Sequence, residues 1–113
     1  MLQTISGEIA KGGQVNKIPD SIEELSKFVG NTPLIQVFVE LNGKKLNIFA
    51  KYEAWNYSGS IKDRMALQIL QSAYSCNTIQ PKDVIVEATS GNTGIAFAAM
   101  GAFLGHPVEI YMP

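Results

Sequence analysis

Val84-Ile85-Val86-Glu87-Ala88, Thr89-Ser90-Gly91-Asn92-Thr93-Gly94 and Ile95-Ala96-Phe97-Ala98-Ala99-Met100-Gly101-Ala102-Phe103-Leu104 follow one another without a break. The first run is short and almost continuously apolar, as expected of a strand buried on both faces in a parallel sheet. The second is a polar turn without charge. The third is an Ala-rich apolar helix, stopped by Gly105 and followed by His106-Pro107, a normal helix ending. Residues 108–112 then read as another short strand. Strand, helix and strand at this spacing predict a βαβ unit, and with it an α/β fold built on a parallel sheet.

Upstream, Ile61, Met65, Ile69 and Ala73 recur at helical spacing, with Ala66, Leu70 and Tyr74 beside them. This predicts an amphipathic helix of about four turns, ending near Cys76-Asn77. Before it lies a polar loop over 55–60, and before that two strand-like runs, 34–40 and 46–53. Leu41-Asn42-Gly43-Lys44 between them carries an Asn-Gly hairpin signal. Gly30-Asn31-Thr32-Pro33 is a turn that ends a short helix running to about Val29. Ser21-Ile22-Glu23-Glu24 fits a capping box for that helix, with Ser21 as its cap. Residues 1–19 show no period and read as a flexible leader, leaving 20–113 as the folded part. Residues 108–112 form a strand with no helix after them, so the domain reads as incomplete.

With 113 residues, 46% of them hydrophobic, the chain suffices for one core. A net charge of −1 gives no support for nucleic-acid binding, which normally needs a basic face. One cysteine and one histidine make neither an internal disulfide nor a metal site, so Cys76 is read as structural or incidental. No stretch is apolar for long enough to span a membrane, and residues 1–18 lack a signal-peptide core. A cytoplasmic location is the default expectation.

Two stretches carry chemistry. In Asn56-Tyr57-Ser58-Gly59-Ser60-Ile61-Lys62-Asp63-Arg64 a lysine falls in the first turn of a helix. That end carries positive partial charge from unpaired N–H groups and disfavours an ammonium. A neutral lysine amine is a nucleophile able to form a Schiff base with a carbonyl. The plain alternative is a solvated lysine beside Asp63. The second stretch, Thr89 to Gly94, lies between a buried strand and a helix start, where open α/β sheets bind ligands. Backbone N–H groups, three hydroxyls and the Asn92 amide could cradle an anion with neutral donors. The same residues serve equally well as caps and turn formers. The stretch is neither a Walker A loop nor a Gly-x-Gly-x-x-Gly fingerprint. His106 reads as a loop residue, and Trp55 and Tyr57 as packing residues. Glu53 and Asp63 could pair, though their spacing does not require it.

Taken together, Gly30-Asn31-Thr32-Pro33-Leu34, Lys51-Tyr52-Glu53, residues 56–64 and residues 89–94 resemble, in order and spacing, the motifs of cysteine synthase (O-acetylserine sulfhydrylase). That is the family of fold type II pyridoxal-phosphate enzymes, with cystathionine β-synthase a close relative. The resemblance covers about 21–113 and implies the tryptophan synthase β-like three-layer fold, of which this chain would be the N-terminal part. It implies that Lys62 bonds to pyridoxal 5'-phosphate and later moves the substrate α-proton. It makes Thr89, Ser90, Asn92 and Thr93 the grip on the substrate carboxylate, with Asn92 also on the cofactor's ring hydroxyl and Gly91 and Gly94 shaping the loop. The implied reaction is β-replacement, turning O-acetyl-L-serine and sulfide into L-cysteine in a homodimer, with closure of the loop excluding water.

The sequence departs from the family at Tyr57 and Ser58, where a proline usually follows the asparagine; a less stiff loop is expected. The loop that binds the cofactor phosphate and the partner of the pyridine nitrogen belong to the missing C-terminal part of the enzyme. Within the family, cystathionine β-synthase and a sulfide-releasing cysteine lyase remain open alternatives. So does a non-catalytic fragment or interaction module, and this chain by itself is expected to be inactive.

Overall fold

The computed structural model describes residues 3–4 and 20–113. In chain order the elements are β1 (Gln3–Thr4), α1 (Asp20–Ser26), β2 (Leu34–Leu41), β3 (Lys44–Lys51), a 3₁₀ turn (Glu53–Trp55), α2 (Lys62–Ser75), β4 (Ile85–Ala88), α3 (Asn92–Leu104) and β5 (Val108–Tyr111). The strands form two sheets, β1-β4-β5 and β2-β3. β4 and β5 pair in parallel, Ile85 opposite Val108 and Ala88 opposite Tyr111, and α3 makes the crossover between them. This is the βαβ unit read from residues 84–112, and the architecture is α/β.

α3 is the element on which the others meet: it packs against α1, α2, β4 and β5. Its Ala-rich, apolar surface suits that central position, because a helix without a polar face must be covered. Ala96, Phe97 and Met100 are buried with Ile85 of β4, with Ala66, Leu67, Leu70 and Tyr74 of α2, and with Ile22 and Leu25 of α1. At Gly101 a Cβ would overlap the Val108 side chain, so the missing side chain is what lets β5 close on the helix. α3 ends as expected, with Gly105 in the left-handed region at φ 79°.

The tertiary contacts correct several readings. The buried stripe of α2 is Asp63, Ala66, Leu67, Leu70 and Tyr74. Ile61 and Met65 of the other apolar row are exposed, because α3 covers only one side. Ser21 lies inside α1, not at its cap, and the chain beyond Ser26 tightens into three-residue bonds such as Phe28 N–H to the Leu25 carbonyl, 3.0 Å. Those bonds lead to Gly30 and Asn31, both at positive φ.

The second strand of the hairpin stops at Lys51, and Glu53 belongs to the 3₁₀ turn. Asn42 and Gly43 make the turn, both at positive φ as a type I′ turn requires. This hairpin does not join the parallel sheet, so strand, α2 and strand are not a second βαβ unit. Of the leader expected over 1–19, Gln3–Thr4 pair antiparallel with β4, and the rest lies outside the described residues. Among the described residues no helix is long and apolar enough to cross a membrane.

Candidate functional site

Thr89, Ser90 and Gly91 connect β4 to α3, and the helix begins at Asn92, three residues earlier than the apolar run implies. Asn92, Thr93 and Gly94 are therefore its first turn. Gly91 is the N-cap and offers no side chain to it. The first N–H groups of a helix have no acceptor within it, so this start presents donors outward. The loop is held from the sheet side. Thr89 N–H donates to the Tyr111 carbonyl at 3.0 Å, and Gly91 N–H donates to Thr89 Oγ1 at 3.3 Å. A Cβ on Gly94 would stand 2.8 Å from Thr89 Cγ2, so helix and loop approach closely only because Gly94 has none. Around Gly91, by contrast, there is open space.

Ala88, Thr89 and Ser90 face Tyr111, Met112 and Pro113 across a cavity of about 470 Å³. It opens at the carboxyl ends of the two parallel strands, the place where open α/β sheets take ligands. Among the described residues no charged side chain lines it.

Lys62 is the first residue of α2, following Ile61 at the cap. Its N–H donates to Ser60 Oγ at 3.2 Å. The side chain is exposed, and among the described residues its amine makes no hydrogen bond or ion pair. It does not line the cavity at Thr89 and Ser90.

The loop that carries Lys62 is pinned at both ends. Asp63, fully buried, accepts Ser58 N–H at 2.5 Å and also the Ser58 hydroxyl. Asn56, also buried, accepts Gly30 N–H at 2.7 Å and donates to the Glu53 carbonyl at 2.7 Å and carboxylate at 2.9 Å.

Glu53 is the meeting point of these bonds. Besides Asn56 it accepts Thr32 Oγ1–H at 2.7 Å and the Arg64 guanidinium through Nε at 2.8 Å and Nη2 at 3.0 Å. The Lys51 ammonium donates to the Thr32 carbonyl. Donors from Arg64, then Thr32 and Asn56, hold the Glu53 carboxyl at about 2, below its ordinary 4.5. Glu53 and Asp63 thus form no pair; each carboxylate has its own donors.

Other expectations change as well. His106 is a loop residue but a buried one. Its Nδ1–H donates to the Asp83 carbonyl at 2.8 Å, which leaves Nε2 to accept the Tyr74 hydroxyl. Burial, then the Asp83 charge, pushes the Tyr74 phenol up. Trp55 does not pack: it is 69% exposed. Tyr57 does, lying 6.3 Å from Phe28 and 5.9 Å from Phe103, centroid to centroid. Cys76 is a free, exposed thiol.

A family model described as pyridoxal-phosphate dependent enzyme matches residues 25–113. This chain belongs to that family. Cysteine synthase of Aquifex aeolicus is 47% identical over 94 residues, which are 80% of this chain and 29% of that protein. Cystathionine beta-synthase of Rattus norvegicus is 37% identical over 99 residues, 86% of this chain and 18% of that protein. Among solved structures, a hydrogen sulfide-producing enzyme from Fusobacterium nucleatum is 53% identical, with a TM-score of 0.77 over 83% of this chain and 28% of that one. The chain therefore spans less than a third of the length of these relatives.

The family depends on pyridoxal phosphate, and the residues present suit part of such a group. An unengaged lysine amine stands at one helix start, and a neutral donor loop stands at another beside an open cavity. Sequence reading had found both. It missed the role of Glu53, because Thr32, Glu53, Asn56 and Arg64 are separated along the chain and meet only through the turn, the hairpin and α2. The signal was there in another form, since Glu53 and Arg64 stand at the ends of two of the recognised motifs.

Proposed function

We propose that this chain provides the lysine and the carboxylate grip of a pyridoxal-phosphate dependent enzyme that replaces the β-substituent of an amino acid, forming L-cysteine from O-acetyl-L-serine and sulfide. What carries the reading is the uncharged Thr89–Gly94 segment opening α3 beside the cavity at the ends of β4 and β5. An α-carboxylate laid there would meet Thr89 and Ser90, which line the cavity, and the reading assigns it the first-turn N–H groups, the Thr93 hydroxyl and the Asn92 amide as further donors. With no cation lining the cavity among the described residues, the loop holds the anion through neutral donors and releases product without breaking a strong ion pair.

Lys62 is assigned the covalent attachment and the transfer of the substrate α-proton at Nζ, because it is an unengaged amine in a matched motif. Pyridoxal phosphate, when bound, supplies an electron sink for the bond that breaks at the α-carbon. Asn92 is assigned the carboxylate and the cofactor's ring hydroxyl, because its amide belongs to the matched 89–94 motif. Gly94 keeps loop and helix in close approach, while Gly91 leaves the loop free of a side chain.

A second reading is release of sulfide from L-cysteine, favoured by the 53% identity to a hydrogen sulfide-producing enzyme. Both readings use the same amine and the same carboxylate grip; they differ in which β-substituent leaves.

The test is chemical. The purified chain is incubated with pyridoxal phosphate, reduced with borohydride and mapped by peptide mass spectrometry. A covalent label concentrated on Lys62 is expected, and prior addition of O-acetyl-L-serine should diminish it by taking the lysine's place. Protection by L-cysteine alone would move the assignment to sulfide release. Label spread over surface lysines, with no preference for Lys62, would overturn both.

A further inference from the structure

Resting on the reading of Lys62 as the cofactor lysine, we propose that Glu53 is its positioning residue: one carboxylate bonds Thr32, Asn56 and Arg64 together and thereby fixes the start of α2 from which the Lys62 amine projects.

The argument is geometric. The Lys62 side chain makes no hydrogen bond or ion pair among the described residues, so its direction is set by the backbone on either side of it. On the N-terminal side that backbone is the 56–61 loop, anchored through Asn56 to Glu53 and Gly30. On the C-terminal side, Arg64 stands two residues beyond Lys62, and its guanidinium grips Glu53 through two N–H groups. Glu53 thus reaches both flanks of the lysine at once. It is itself held by the 3₁₀ turn at the end of the hairpin and by Thr32, whose hydroxyl also lies 3.2 Å from Arg64 Nη2.

Removing the charge at Glu53 would loosen both flanks together, whereas removing Asn56 or Arg64 would loosen one. The bidentate fork matters, because a planar guanidinium fixes direction as well as distance. Glu53 needs no contact with substrate for this role. Its carboxylate is already filled by four donors on this chain. Displacing a reacting group by an ångström is enough to cost on the order of a hundredfold in rate.

The experiment compares the full chain with Glu53→Gln, Arg64→Ala and Arg64→Lys. Two things are measured: the share of borohydride-fixed pyridoxal phosphate carried by Lys62, with exposed Lys82 as internal reference, and backbone hydrogen exchange along the chain. In Glu53→Gln the Lys62 share is expected to fall about tenfold or more, with Lys82 unchanged. Exchange should quicken at residues 57–64 while the α3 core keeps its protection. Arg64→Lys should recover part of what Arg64→Ala loses.

Equal Lys62 labelling in Glu53→Gln and the parent chain would overturn the proposal. So would exchange that quickens throughout the core, which is the mark of a merely structural glutamate. If the parent chain fails to label at Lys62, the assignment of the cofactor lysine fails. Exchange at 57–64 then decides by itself whether Glu53 holds the start of α2, and unchanged protection there sinks the positioning role.

Discussion

Glu53 and Asp63 turn out to have different occupations, and the difference lies in their partners. Asp63 closes the lysine loop on itself through Ser58, a local contact. Glu53 joins distant segments and is ionised far below the usual carboxylate range, at about 2 in the fold against 4.5 outside it. A depressed folded-state value means that protonating Glu53 weakens the fold. Its contribution is complete above about 4.5 and disappears as the pH falls toward 2. Thermal unfolding of the parent chain and of Glu53→Gln should therefore draw together between pH 5 and pH 2 (an interval of about three units). A gap that stays constant would show that the charge is irrelevant to stability. At the same scale, Lys62→Ala should abolish the fixed pyridoxal phosphate at that position. The melting temperature should hardly move, because substitution of an exposed side chain shifts stability by about 0.5 kcal/mol or less.

At the scale of elements, α3 and the hairpin are opposites. α3 buries one face, with Ala96, Phe97, Met100 and Gly101, while Ile95 stays exposed, and its stability resides in that close packing. Phe97→Ala would leave a cavity at the centre of the core and should cost about 3–5 kcal/mol in denaturant unfolding. Gly101→Ala should cost about 1–3 kcal/mol, because the added methyl meets Val108 and the helix must back away from β5. A neutral or stabilising outcome at Gly101, as helix propensity alone would give, would show that the helix and strand have slack. The hairpin, by contrast, exposes large side chains on both faces; Phe38 is 76% exposed. Phe38→Ala should change stability by no more than about 0.5 kcal/mol. Its apolar row Ile35, Val37, Val39 and Leu41 lies opposite Ala50, Ile48, Leu46 and Lys44, so one face of the ribbon is nearly uninterrupted.

At the scale of the whole molecule, the two candidate stretches belong to different parts of the framework. The Thr89–Gly94 segment is tied to the parallel sheet through Tyr111. The lysine loop is tied to the hairpin end and the turn at Gly30 through Glu53 and Asn56. α2 packing against α3 joins these two parts, together with α1 on α3 and Tyr57 on Phe103. Leu70 and Ala66 at that interface are buried with Phe97 and Met100. Leu70→Ala should therefore affect Lys62 labelling and carboxylate protection together, as well as costing about 2–5 kcal/mol. Loss of one without the other, measured on the same labelled sample, would show that the two sites are not coupled through the helices.

Much of this was legible in one dimension. The apolar run of 84–88, the Ala-rich helix, its Gly105 stop and the Asn-Gly turn depend on neighbours along the chain, where periodicity and turn chemistry act. Lys62 at a helix start and the uncharged loop before α3 were legible for the same reason, and the order of the motifs led to the family. Only the tertiary structure decided which apolar row of α2 is buried, since two adjacent rows are equally apolar and the choice lies with α3. It also decided that the hairpin stands apart from the parallel sheet, that His106 is enclosed by Tyr74 and Asp83, and that Asn92 to Gly94 are helix rather than loop. Glu53 shows why most clearly: its partners are drawn from three separate segments, and a hydrogen bond between distant residues leaves no period in a sequence.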